Sequence, residues 1–152
     1  MDWMLFLTFF AACGAAATTG AMFEPGTWYD KLDKPAWTPP GIVFPIVWLF
    51  LYLSMSYAAM RVAQVDGAQQ ALALWAMQIA FNTLWSPVFF GLRRMRAAMV
   101  VVCCLWGAVA LTMVAFYMID PVAGALMAPY LIWVTIAAAL NFSVWQRNPQ
   151  FA

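Results

Sequence analysis

Long apolar stretches separated by short polar ones dominate this chain. Five stand out, at about 3–22, 42–62, 70–91, 97–119 and 123–145, each near the ~20 residues that a helix needs to cross a bilayer core. Only helices or closed barrels satisfy their backbone in lipid, so the pattern predicts an all-α, polytopic bundle of five transmembrane helices. Residues 1–152 then form a single domain. The one long polar interval, 23–41, is expected to lie as a lid over one end of the bundle. From Trp28 to Trp48 the chain is dense in proline and tryptophan, with Pro35, Pro39, Pro40, Pro45 and Trp37 between them.

Composition sharpens this picture. The chain is 66% hydrophobic and 9% charged, whereas a soluble domain carries roughly 25% charged residues. A net charge of +1 and the lack of a basic, aromatic-interleaved patch argue against nucleic-acid binding. Histidine is absent, which removes the commonest metal and haem ligand and the usual general base, so neither a metal site nor a required cofactor is expected. Cys13, Cys103 and Cys104 all fall in apolar runs and are expected to be free thiols. The start, Met-Asp-Trp, has no basic stretch, so the first apolar segment is expected to remain in the mature protein.

Five spans put the termini on opposite sides. Lys31, Lys34, Arg93, Arg94, Arg96 and Arg147 then share the side of the long loop, while Arg61 is alone on the other. That asymmetry predicts a cytoplasm-like face for the long loop and the C-terminus. Small residues four apart, Gly14 with Thr18 and Ala16 with Gly20, allow close helix approach and are read first as packing within one subunit. Span three offers a second small face in Ala73, Ala76 and Ala80, and either face could build a homodimer. Pro87 is expected to kink the third span near the loop side.

The interiors of the spans carry no charged residue, which disfavours a pump or a channel. Uncharged polar groups remain: Gln78, Asn82 and Ser86 lie at helical spacing on one face, and Asn141 lies in the last span. At 1.5 Å per residue, Trp48 and Trp85 each sit about 9 Å inside the loop-side end of their spans. Asn82, Asn141, Ala137 and Trp133 fall in the same half. Each also has a plainer reading, as interfacial aromatics or interhelical hydrogen-bond partners. Lys31, Lys34 and the Arg93, Arg94, Arg96 run read most simply as topology anchors.

Three blocks of residues point further. They are Trp28-Tyr29, Leu32, Lys34-Pro35, Trp37, Pro39-Pro40, Phe44-Pro45 and Trp48; then Gln78, Asn82, Trp85-Ser86-Pro87 and Phe89-Phe90-Gly91; then Pro129-Tyr130-Leu131, Trp133 and Leu140-Asn141. In these blocks the sequence resembles the tryptophan-rich sensory protein / translocator protein family (TspO/MBR, or peripheral benzodiazepine receptors), over essentially its whole length. The resemblance implies a bacterial integral membrane protein, in the inner or the outer membrane, usually dimeric, with a cavity closed by the first loop. It implies ligands such as protoporphyrin IX, sterols and benzodiazepine-type drugs, and a sensory or regulatory role in tetrapyrrole metabolism and stress. Position by position, it implies cavity roles for Trp37, Trp48, Asn82, Trp133, Ala137 and Leu140, beside Trp85 and Asn141 from the depth argument. Lys31, Lys34 and Arg93 are candidate partners for porphyrin carboxylates.

The family's C-terminal sterol motif departs here: Leu140 and Arg147 are present, but Phe142 stands where a tyrosine belongs. Weak sterol affinity is expected, since the phenol hydroxyl is missing. No hydrolytic or metal-based catalytic set is visible. An enzymatic alternative, light-dependent porphyrin degradation, would rest on Trp48 and Trp133. Another alternative is a regulatory partner of other membrane proteins.

Overall fold

The computed structural model describes all 152 residues. It contains α1 (Trp3–Met22), α2 (Gly26–Asp30), α3 (Val43–Ala63), α4 (Gln69–Ser86), α5 (Met95–Ile119) and α6 (Pro121–Arg147). A π-helical turn, Pro87–Gly91, continues α4, and a 3-10 turn, Pro149–Phe151, follows α6. Four helices (α1, α3, α5 and α6) are long and apolar enough to cross a bilayer. The remaining long helix, α4, is not, because Gln69, Gln70, Gln78 and Asn82 dilute its 18 residues.

Local chemistry explains the helix ends. The Asp2 carboxylate caps α1, accepting from the Leu5 N–H at 3.1 Å, which satisfies a backbone donor left without a helical partner. Asp120 caps α6 through the Val122 and Ala123 N–H groups, ahead of Pro121 in the first turn. The expected kink at Pro87 takes the form of a wider turn: the Leu92 N–H donates to the Pro87 carbonyl, five residues back, at 2.9 Å. Proline has no N–H and crowds the preceding turn, which makes an expanded turn the cheaper continuation. Arg93, at φ 56°, then ends the segment in the left-handed region.

The five long helices close a ring in which α1 packs on α3, α3 on α6, α6 on α5, α5 on α4, and α4 back on α1. Lipid is as apolar as leucine, so packing and interhelical hydrogen bonds hold such a ring rather than exclusion of water. The α5–α6 junction is tight: a Cβ at Gly124 would collide with the Tyr117 backbone. One large buried cluster runs down the ring interior through Leu51, Met55, Ala59, Trp75, Val109 and Met127. A smaller one, with Leu32, Phe89, Met95 and Leu140, sits beneath the first loop.

Contacts between distant segments fix which ends lie together. Met1 shares a surface cleft with Arg61 and Asp120, while Asn148 bonds to Asp33. The two termini therefore lie at opposite ends of the bundle, as the odd number of spans required. The small-residue reading of α1 needs correction. Cys13 and Ala16 face inward, but Gly14, Thr18 and Gly20 are exposed, and a Cβ built on Gly14 or Gly20 meets nothing within 4 Å. Gly14, Thr18 and Gly20 therefore do not pack within the subunit. All three cysteines are free, as expected.

Candidate functional site

The loop-side half of α3 starts the site. Phe44, Trp48 and Tyr52 recur at four-residue spacing, so they stack one above another on the face that meets α6. Trp48 lies against Tyr52 with ring centroids 5.4 Å apart, and edge-on to Tyr130 of α6 at 6.0 Å. Phe44 meets Trp133 edge-on at 5.5 Å. Such offset and edge contacts are the favourable ones for aromatic quadrupoles.

Beneath these rings runs a closed polar network. Tyr52 Oη donates to Asn82 Oδ1 at 3.2 Å, Asn82 Nδ2 donates to Tyr130 Oη at 2.8 Å, and Tyr130 Oη donates to Gln78 Oε1 at 2.7 Å. Gln78 and Tyr130 are 0% and 1% exposed, so each unmet polar atom would cost the full desolvation penalty. On the α3 side, Ser56 donates to the Tyr52 carbonyl at 2.6 Å and its hydroxyl lies 3.4 Å from Cys13 Sγ. The chain of contacts thus ties α1, α3, α4 and α6 together through one buried tyrosine pair.

A second amide acts nearer the loop. Asn141 accepts from the Trp85 indole N–H at 3.1 Å and donates to the Met95 carbonyl at 3.1 Å, joining α4, α6 and the start of α5. Trp85 in turn stacks on Phe89 at 5.0 Å. Leu140, 9% exposed, packs in the small cluster beneath the loop, and Ala137 is half-buried one turn below it.

The loop is fastened from above. Asn148, 4% exposed, accepts from the Asp33 N–H at 3.1 Å and donates to the Asp33 carbonyl at 2.8 Å. Arg147 lies 3.6 Å from the Asp33 carboxylate. Trp28 sits between Phe89 and Phe151, with the Arg93 guanidinium over its ring at 5.4 Å. Lys34 turns back on the loop itself: its ammonium donates to the Tyr29 carbonyl at 2.7 Å and lies 4.6 Å from the Tyr29 ring. A cation at the C-terminus of α2 complements the helix dipole there. Burial, and then the neighbouring Asp30 carboxylate, push the Tyr29 phenol up from its ordinary range.

The structure therefore brings Trp48, Asn82, Trp85, Trp133, Leu140 and Asn141 into the loop-side half, with Ala137 at its edge. It leaves Trp37 apart, 52% exposed on the loop. The sterol-motif positions diverge in space: Leu140 points inward, Phe142 is 44% exposed beside Trp145, and Arg147 faces Asp33. Of the proposed carboxylate partners, Lys34 is occupied by loop carbonyls and Arg93 by Trp28, while Lys31 is exposed. The sequence reading missed Tyr52, Tyr130 and Asn148 as site residues. Tyr52 was recoverable from its four-residue step after Trp48, and Tyr130 from its three-residue step before Trp133.

A separate cleft lies elsewhere. It is a surface depression of about 320 Å³ at the opposite end, lined by Met1, Tyr57, Met60, Arg61, Gln64 and Asp120. Its two charges are already paired, Arg61 Nε donating to Asp120 Oδ2 at 2.6 Å.

A sequence model of the TspO/MBR family matches residues 6–146. A tryptophan-rich sensory protein of Cereibacter sphaeroides is 60% identical over 148 residues, which cover 97% of this chain and 94% of that one. The CrtK protein of Rhodobacter capsulatus is 50% identical, over 98% of this chain and 96% of its own. Human translocator protein is 37% identical, over 96% and 91%. The family blocks fall on the aromatic and amide cluster, the match spans nearly the whole length, and this integral membrane protein belongs to the TspO/MBR family.

Proposed function

We propose that this protein is a membrane receptor for porphyrins and related flat hydrophobic ligands, with a sensory or regulatory role in tetrapyrrole metabolism. The observation that carries this reading is the concentration of Phe44, Trp48, Tyr52, Tyr130 and Trp133 around Asn82 in one half of the bundle. Indole and phenol faces suit a macrocycle, and a few fixed amides orient it. In this reading five helices cross the bilayer, the third being α4 with its π-helical continuation. The long loop and C-terminus occupy the cytoplasm-like face. The outward Ala73, Ala76 and Ala80 of α4 are the homodimer seam. The ligand enters by displacing the loop, whose fastening at Asp33 is a side-chain amide on backbone. Sterol binding is weak, because Phe142 offers no hydroxyl.

Protoporphyrin IX titration followed by tryptophan fluorescence tests the reading. Saturable quenching in the dark at micromolar ligand supports it, provided that replacing both Trp48 and Trp133 with Phe weakens it at least about tenfold. Unchanged affinity in that variant overturns it.

A second reading, porphyrin degradation driven by light and dioxygen, draws on the contact of Trp48 with Tyr52 and Tyr130. Loss of the porphyrin absorption band under light, at a rate no greater than in detergent alone, ends that reading and leaves the receptor intact.

A further inference from the structure

The outer surface of α5 carries a groove that the aromatic half does not use. Arg96, Met99, Val100, Cys103 and Cys104 line it from α5, and Trp145 borders it from α6; its volume is about 310 Å³. Their spacing of three and four residues makes a single lengthwise strip on one helix face. From Arg96 to Cys104 the strip is about 12 Å long, well under half of a ~30 Å hydrocarbon core, so it belongs to one leaflet.

Its two ends differ in chemistry. At the loop-side end Arg96 is exposed and joins neither ion pair of the molecule. Arg93 and Arg94 stand next to it, and no side chain caps the first turn of α5. The first-turn backbone N–H groups and the Arg96 guanidinium thus stand at the depth at which lipid headgroups lie. Towards the membrane centre the strip is thioether, aliphatic and thiol, with no charge. Trp145, half-buried and edge-on to Phe142, stands at the headgroup level as interfacial indoles do.

We infer that this groove holds one anionic phospholipid, its phosphate against Arg96 and the first turn of α5 and an acyl chain along Met99, Val100 and Cys103. Charge complementarity selects an acidic lipid over a zwitterionic one, and the strip shape selects a chain over a fused ring system. The site is separate from the aromatic half, since α5 contributes its outer face here and its inner face (Val102, Leu105, Val109) to the core.

Native mass spectrometry of the purified protein in micelles containing equal amounts of phosphatidylglycerol and phosphatidylcholine tests this directly. The wild type retains one phosphatidylglycerol in about fivefold excess over phosphatidylcholine, the discrimination one interfacial arginine provides. Both R96Q, which removes the charge, and Val100→Trp, which fills the strip, fall to parity. K31Q removes an exposed charge from the same end of the molecule and keeps the preference. Equal loss in K31Q would mean diffuse surface attraction and would overturn the site. So would a preference that survives in R96Q or in Val100→Trp, or retention of phosphatidylcholine or a sterol equally in wild type and R96Q.

Discussion

The two halves of α3 are built differently. From Val43 to Phe50 no residue is fully buried, and Phe44 and Trp48 keep part of their surface open. From Leu51 to Val62 nearly every inward position is closed, with Met55, Ala58, Ala59 and Val62 at 0% exposure. The far half is filled by small residues such as Ala71, Ala108 and Ala123, which bring backbones close. The loop-side half is filled by rings and amides, the rings meeting both stacked and edge-on. Small residues at close approach leave no second arrangement, whereas rings in edge contact can part by changing rotamer. One half is a close-packed scaffold; the other is the half to which the proposed function assigns the ligand.

The largest effect that would sharpen this contrast is at Gly124. Changing it to Ala drives a methyl group into the Tyr117 backbone, and a cost of about 3 kcal/mol is expected. Thermal melting in detergent should drop sharply, while ligand affinity of the protein that still folds stays within about twofold, since the chamber is untouched. Next comes N82A, which strands the Tyr52 hydroxyl and takes one of two partners from the Tyr130 hydroxyl, whose bond to Gln78 remains. Each interhelical hydrogen bond in a membrane contributes about 0.6 kcal/mol on average, so two lost bonds should cost about 1 kcal/mol in melting experiments. Porphyrin affinity should fall about tenfold in the same variant.

Smaller still is N148A. It removes both bonds to Asp33, so stopped-flow quenching should show faster ligand entry and exit, with the equilibrium constant moved little. A rate equal to wild type would mean that the loop is held by Trp28 and Phe151 instead. The smallest effect belongs to the far end. The Arg61 hydrogen bond holds the Asp120 carboxyl below its ordinary value of 3.8. A carboxylate with a depressed folded value stabilises the fold above its unfolded value and loses that contribution as pH falls through the folded one. Melting temperature should therefore decline slightly below about pH 4, and D120N should lack that part of the decline.

Much of this was legible in the hydropathy. The spans expected at 3–22, 42–62 and 97–119 coincide with α1, α3 and α5 to within two residues, because apolar length alone decides a membrane helix. The last span extends two residues further at each end than expected, since Asp120 and Arg147 belong to helix ends that reach water. The third was read as one continuous segment over 70–91; Pro87 split it into an α and a π part, a distinction that hydropathy does not carry. Depth arithmetic placed Trp48, Trp85, Trp133, Asn82 and Asn141 in one half, as found. It could not assign partners, because spacing fixes height but not which helix lies opposite. Lys34 illustrates the limit: from the sequence it was a free cation near a mouth, yet its own loop supplies three carbonyls to it.

Hydrogen–deuterium exchange read by mass spectrometry, with and without protoporphyrin IX, tests the division most directly. Ligand should change exchange in residues 27–38, 43–52 and 141–148 and leave 55–63 unchanged. Protection confined to 55–63, or spread evenly along α3, would contradict a loop-side chamber resting on a closed scaffold.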